Sequence, residues 1–158
     1  KEGIVIDTRW NGGGRLHEDI EVLFSGKTYL TQEIHGVETT VMPSRRWNKP
    51  SIMVIGEANY SNAHGTPWVY KHCNLGSLVG MPVPGTMSSV NWETLQDPTL
   101  VYGMPVIGFR TAQGNYLENT QLEPDIKVAN DPATLVKGED TQLKVAVETL
   151  LKQIDALK

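Results

Sequence analysis

The sequence predicts an α/β fold, and three observations carry that prediction. Short apolar runs of strand length alternate with stretches of helical apolar spacing along most of the chain. Two of the runs, Ile4-Val5-Ile6 and Ile52-Met53-Val54-Ile55, read as buried strands, and each runs into a polar or glycine-rich turn. Near the C-terminus, Leu143, Val147, Leu150, Leu151, Ile154 and Leu157 recur at helical spacing, the stripe of an amphipathic helix.

In chain order, residues 3–7 form the first strand, and Gly12-Gly13-Gly14 ends it. A short helix is expected over 16–24 and a strand over 27–34. The proline-bounded basic segment Met42 to Pro50 then reads as a linker. A strand over 51–56 follows, then a helix after Ser61, in which Trp68, Val69, Tyr70 and Leu75 have helix-like spacing. Strands are expected over 76–80, 87–91, 100–109 and 114–118, with a glycine- and proline-rich segment through Pro84-Gly85. Residues 140–157 close the chain as the amphipathic helix, with Asp140 or Thr141 near its start. That stripe serves core packing or seals an intermolecular contact. There is no internal repeat.

Composition bounds the function. The chain has 158 residues, 39% apolar and 20% charged, enough for one hydrophobic core. A net charge of −4 disfavours nonspecific nucleic-acid binding, and Arg45-Arg46 is too short a basic run to reverse it. The longest apolar runs are far shorter than a membrane-spanning helix. Cys73 is the single cysteine, so neither an intrachain disulfide nor a thiolate metal cluster can form, and a small buried hydrophobe is its expected role. One thiol leaves the compartment open. Trp10, Trp47, Trp68 and Trp92 lack the basic interleaving of a stacking surface and read as core or pocket walls. Trp10 and Trp68 flank the two loops considered next.

Ser61 falls where the Ile52–Ile55 strand gives way to a helix, and a serine at such an elbow is a candidate nucleophile. The first N–H groups of a helix lack intrahelical partners and carry the positive end of its dipole. An oxyanion formed beside Ser61 therefore meets ready donors, Asn62 N–H among them. An ordinary helix-capping serine fits the same position. The Gly12–Gly14 loop matches neither a phosphate loop nor a dinucleotide fingerprint. It reads either as an oxyanion-hole loop, in which Gly12 and Gly13 bring backbone donors close, or as a turn with no ligand.

Together, Ile-Asp-Thr-Arg-Trp-Asn-Gly-Gly-Gly, the serine turn, and the block from Gly108 through Glu118 and Pro124-Asp125-Ile126 to Val128 resemble the catalytic domain of the tricorn-like and C-terminal-processing serine peptidases. The resemblance covers most of the chain and rests on the order and spacing of three weak motifs. It implies a crotonase-like arrangement of the α/β catalytic domain. Members with a serine-lysine dyad place the lysine at a spacing that here falls on Thr86, and no lysine stands between Lys71 and Lys127. The tricorn-like branch instead uses serine, histidine and a glutamate that orients the histidine through another hydroxyl. Glu118 matches that glutamate; read alone, it is a solvated charge at a strand end.

The family supplies its histidine from a segment before the first strand, and this chain opens at Lys1. The expectation is thus a single catalytic unit, residues 1–158, of a longer multidomain polypeptide, with the base upstream and the isolated chain inactive. His64 shares a helix face with Ser61 and is expected along the helix surface; His17, His35 and His72 are expected on surface elements. The resemblance implies a serine endopeptidase or oligopeptide-processing peptidase working through an acyl-enzyme with catalytic Ser61 and Glu118, an oxyanion hole from Gly12, Gly13 and Asn62, and neither metal nor organic cofactor. Its partners would be a peptide or unfolded protein, the upstream domains and, in an oligomer, further copies, but no nucleic acid. Two alternatives stand: a noncatalytic interaction module keeping the fold, and, by fold analogy, an acyl-CoA-type enzyme with the same oxyanion geometry.

Overall fold

The structure is a computed structural model that describes residues 1–158. Its centre is a four-stranded parallel sheet built from β1 (Ile4–Asp7), β4 (Ser51–Ile55), β5 (Ser77–Gly80) and β8 (Ile126–Lys127), in the order β1-β4-β5-β8. Between them the chain forms α1 (His17–Phe24), the hairpin β2 (Leu30–Ile34) and β3 (Val37–Met42), α2 (Asn62–His72), and the hairpin β6 (Ser88–Thr94) and β7 (Val101–Gly108). A four-residue helix α3 (Pro132–Leu135) and the long α4 (Thr141–Asp155) follow the last strand.

Every residue of β4 is buried, because both faces of this central strand are covered. Met53 and Ile55 pack with Leu78, Tyr70 of α2 and Ile20 of α1 in one core cluster. Ile52 and Val54 point the other way and pack with Val79 and with Ala146, Leu150 and Ile154 of α4. The period-two alternation of the strand thus distributes one apolar run over two cores. Of the stripe expected from sequence, α4 buries Leu150 and Ile154, joined by Ala146, while Leu143, Val147, Leu151 and Leu157 are exposed. Asp140 caps that helix, its side chain accepting from Leu143 N–H.

Three expectations differ from the structure. Residues 114–118 form no strand: a Thr111–Gly114 turn leaves room only for an isolated bridge between Arg110 and Tyr116. The hairpin partner β3 and the short β8 and α3 were not legible, since β3 is solvent-exposed along most of its length and the other two span two and four residues. Cys73 is exposed beyond the end of α2 rather than buried. No helix is long and apolar enough to cross a membrane.

Register sets the level at which the loops leave the sheet. Asp7 pairs with Val54 and Ile55 with Gly80, so β1, β4 and β5 end side by side. Their C-terminal loops, residues 8–16, 56–61 and 81–87, therefore emerge from one edge.

Candidate active site

Ser61 joins β4 to α2 with φ 56° and ψ −124°. A non-glycine residue in this sparsely populated region carries roughly 1–3 kcal/mol of strain. Its side chain makes no capping hydrogen bond, so the strain is not the by-product of an ordinary N-cap. The surrounding backbone holds it in place. Ser61 N–H donates to Thr86 Oγ1 at 3.0 Å. Tyr60 N–H donates to Asn11 O at 3.0 Å, tying the serine turn to the glycine loop.

That loop comes closer at Gly13 than anywhere else. At φ 115° Gly13 lies so near the serine that a side-chain carbon there would sit 2.9 Å from Ser61 Cβ and 3.2 Å from its Oγ. Gly13 N–H is taken by Asn11 Oδ1 at 2.8 Å. Gly12 has open space where a side chain would project. Gly14 lines the cleft that contains Ser61, a space of about 350 Å³ also walled by Arg15, His17, Asn62, Ser88 and Phe109. Of the three glycines, then, Gly13 packs under the serine and Gly14 faces the cleft.

Asn62 begins α2, and its N–H has no acceptor among the backbone hydrogen bonds, as the first turn of a helix dictates. Its side chain is engaged on both ends. Oδ1 accepts from Leu16 N–H at 2.8 Å, and Nδ2 meets His17 Nδ1 at 2.6 Å. His17 is thereby drawn into the serine cleft instead of standing on the surface.

Glu118 reaches the site through a hydroxyl: Ser88 Oγ donates to Glu118 Oε2 at 2.7 Å, and Ser88 lines the cleft. Asn119 N–H donates to Gly85 O at 2.9 Å, which holds the Glu118 turn against the 84–88 segment. Thr86, at the spacing where a dyad lysine would stand, belongs to the same segment and binds the serine's own amide. Neither Ser88 nor His17 carried a local sequence signal, because each acquires its place from a neighbour remote in sequence. For Thr86 the only signal was its distance from Ser61.

His64 overturns its expected surface position. It is completely buried, and neither ring nitrogen has a protein partner. Burial pushes its pKa down, with the Glu118 carboxylate opposing the shift, so the imidazole is neutral. The ring sits on the inward side of α2 because Asn62 to Pro67 are all buried: the first half of this helix runs through the core. His72 stacks on Trp68 at 4.6 Å between ring centroids. His35 occupies the turn between β2 and β3 with φ 52°.

Beside the cleft is a smaller, mainly apolar pocket of about 180 Å³, lined by Trp68, Val69, Met87, Phe109 and Leu117 and sharing His17 with the cleft. The largest cavity, about 560 Å³, lies elsewhere and excludes Ser61; Asp7, Arg9, Trp10, Glu57, Asp140 and Gln142 line it. Arg9 is fully engaged there. It contacts Asp7 at 2.6 Å and Asp140 at 2.8 Å and donates to Gln142 Oε1 at 3.1 Å. Hydrogen bonding from Arg9 holds Asp140 down at about 2 and also lowers Asp7. Trp10, expected as a wall, borders this cavity and is 83% exposed; Trp68 lines the small pocket beside the serine.

Comparison with known proteins places this arrangement in a family. The model of peptidase family S41 matches residues 1–128, more than three quarters of the chain. The chain belongs to that family. Its relatives are tricorn-like: it is 22% identical over 155 residues to the tricorn protease of Thermoplasma acidophilum, covering 97% of this chain and 14% of the relative. It is 26% identical over 164 residues to a tricorn protease homolog of Saccharolobus solfataricus, covering 98% of this chain and 14% of that protein. The chain therefore spans only about a seventh of the length of these curated relatives. Among solved structures, the tricorn protease superposes with a TM-score of 0.86 at 21% identity, over 98% of this chain and 15% of that one. A photosystem II D1 C-terminal processing protease superposes at 0.56, with 17% identity over 81% of this chain and 35% of its own. At these identities the structural likeness shows the fold, a mixed α/β frame with a parallel sheet, in a tricorn-like member of the S41 peptidases.

Proposed function

We propose that residues 1–158 are a catalytic unit of a longer serine peptidase, arranged as a crotonase-like domain, in which Ser61 is the nucleophile. The observation that carries the reading is the strained Ser61 backbone at the strand-to-helix turn, with the hydroxyl free of capping duty and Gly13 packed against it. Ser61 Oγ attacks the peptide carbonyl carbon while its proton passes to a histidine. The tetrahedral adduct collapses, the C–N bond breaks, and the amine leaves with that proton. Water then hydrolyses the acyl ester, releases the carboxylate and restores the serine.

Oxyanion stabilisation falls to backbone amides. Asn62 N–H is a free donor at the start of α2, and the Gly12–Gly14 loop, held against the serine at Gly13, supplies the second from Gly12, since Gly13 N–H is spent on Asn11. Each such donor is worth roughly 2.7–4 kcal/mol in the transition state. Gly12 and Gly13 shape the loop; Gly13 admits it to within contact of the serine. Glu118, linked to the cleft through Ser88, orients the base by way of a hydroxyl. The base itself comes from outside these residues: His64 is walled into the core, and His17 is committed to Asn62. Neither a metal nor an organic cofactor enters the scheme.

The test is labelling of the full-length polypeptide with a serine-directed fluorophosphonate, mapped by mass spectrometry. Ser61→Ala removes the label and leaves the fold intact. A label that survives on the variant moves the nucleophile elsewhere, and an unlabelled wild-type protein favours a binding module that keeps the peptidase frame.

A further inference from the structure

The hydrogen bonds around Asn62 fix the proton on His17. Leu16 N–H can only donate, and it points at one terminal atom of the Asn62 side chain from 2.8 Å, so that atom is the carbonyl oxygen. Thr66 Oγ1 adds a second contact to the same atom at 3.2 Å. The other terminus is therefore the amide nitrogen, a donor only. It faces His17 Nδ1 at 2.6 Å, so Nδ1 must present its lone pair. A neutral imidazole with Nδ1 unprotonated carries its proton on Nε2. That tautomer has no lone pair to offer a serine hydroxyl, so His17 stands in the cleft as a donor and not as a base.

The position of the ring says what it donates to. His17 lines the Ser61 cleft and the adjoining apolar pocket together with Met87 and Phe109, so it stands at the joint between them. A peptide whose side chain fills the pocket walled by Trp68, Val69 and Leu117 passes this joint on its way to Ser61. At such a place the polar groups of an extended peptide are backbone carbonyls and amides, and a fixed N–H donor selects the carbonyl oxygen. The charged groups lining the same cleft are Arg15 and Glu18, both exposed.

We propose that His17 is a substrate-binding residue, a neutral Nε2–H donor set by Asn62 to hold a backbone carbonyl of a peptide lying between the apolar pocket and Ser61. The proposal deepens the peptidase reading and rests on it for the identity of the ligand. It also gives Asn62 two tasks: its main chain faces the oxyanion, and its side chain sets the tautomer of a neighbouring binding group. An aspartate at 62 would take a proton from Nδ1 instead and leave Nε2 with a free lone pair.

Two amide substitutions separate the roles of the ring nitrogens, since glutamine reaches the Nε2 position and asparagine only the Nδ1 position. In the full-length polypeptide carrying Ser61→Ala, binding of fluorescein-labelled casein peptides is followed by anisotropy. The expected result is about tenfold weaker binding with His17→Asn, the worth of one neutral hydrogen bond, and near-normal binding with His17→Gln. Equal binding by His17→Asn and the Ser61→Ala parent, or no peptide binding by that parent, overturns the proposal. With Ser61 intact, abolished fluorophosphonate labelling in both His17→Asn and His17→Gln makes His17 the base and also overturns the proposal. If wild-type protein is not labelled, yet peptides bind and His17→Asn weakens them, the peptidase reading fails and the binding role of His17 stands.

Discussion

Replacing Gly13 by alanine puts the proposed contact between the glycine loop and the nucleophile to a quantitative test. Two separate costs arise. At φ 115° an alanine lies outside the left-handed well, a strain of roughly 1–3 kcal/mol. Its Cβ would also stand 2.9 Å from Ser61 Cβ and 3.2 Å from Tyr60 O. Ser61 has little freedom to yield, because its amide is tied to Thr86 and Tyr60 is tied to Asn11. Gly138→Ala is the control: its φ of 86° is also positive, a side chain there meets open space, and the residue lies outside the serine cleft. Each kcal/mol lowers Tm by about 2–4 °C in a domain of this size, so both variants should melt several degrees low. Only Gly13→Ala should displace the serine. Misplacing the adduct from one oxyanion donor costs roughly 10²–10³ in rate, so fluorophosphonate labelling should slow by about that factor in Gly13→Ala and far less in Gly138→Ala. Equal slowing in the two variants, or wild-type labelling of a folded Gly13→Ala protein, refutes the contact.

Protonation of His64 should erode stability on the acid side. Its folded pKa lies below the ordinary 6.5, so the unfolded chain binds the proton first, and stability is full above pH 6.5 and declines below it by up to about 1.4 kcal/mol per pH unit until the folded pKa is reached. Denaturation between pH 4.5 and 8 should show this slope and lose it in His64→Gln; an unchanged slope in that variant assigns it to another group. A second acid step, between pH 3.8 and about 2, belongs to Asp140, whose carboxylate Arg9 stabilises. Arg9→Gln should destabilise the chain by about 2 kcal/mol, through lost charge-assisted hydrogen bonds to Asp7 and Asp140, and Arg9→Lys should restore only part because a single ammonium cannot span both carboxylates; full restoration by lysine would show that charge alone suffices. Glu118→Gln keeps an acceptor for Ser88 but removes the charge, and should slow peptide turnover by roughly 10²-fold with little change in melting temperature. Unaltered turnover would take Glu118 out of the site.

The parts of this fold legible in the sequence are those whose burial is decided within one segment. β4 and the α4 stripe announce themselves because their apolar residues are local and their partners lie in the two cores. Of the hairpin strands, β2, β6 and β7 were expected near their observed places, but β3 was not: it is exposed along most of its length, so no core-facing period marks it. The serine turn was legible as a break between a buried strand and a helix, but the conformation of Ser61 was not, since its positive φ comes from packing under Gly13 and from the bond to Thr86. His64 misled for a related reason. The polar letters Asn62, His64 and Thr66 suggest a solvent-facing start to α2, whereas α1 and the loop before Ser88 cover that turn and bury all three. His17 was legible only as a surface histidine, because its role depends on a hydrogen bond to a residue 45 positions away.

The convergence of remote segments on Ser61 follows from the parallel sheet. In such a sheet every strand ends at the same edge, so the loops after β1, β4 and β5 leave together and sequence distance ceases to matter. The glycine loop, the serine turn and the Thr86–Met87 segment are those three loops. The loop after β8 leaves from the same edge toward α4, where Asn130, Asp140 and Gln142 join Asp7 and Arg9 around the larger cavity. Residues 8–14 supply walls to both spaces, with Arg9 and Trp10 in one and Gly14 in the other. The two sides differ in what they leave available. Around Arg9 one guanidinium bridges two carboxylates in a network that fastens β1 to the start of α4. Around Ser61 a hydroxyl and the Asn62 N–H remain unpaired. A parallel sheet edge can therefore carry structural and reactive chemistry within one short loop, because Arg9 anchors that loop at its base while its glycines bring the backbone against the serine.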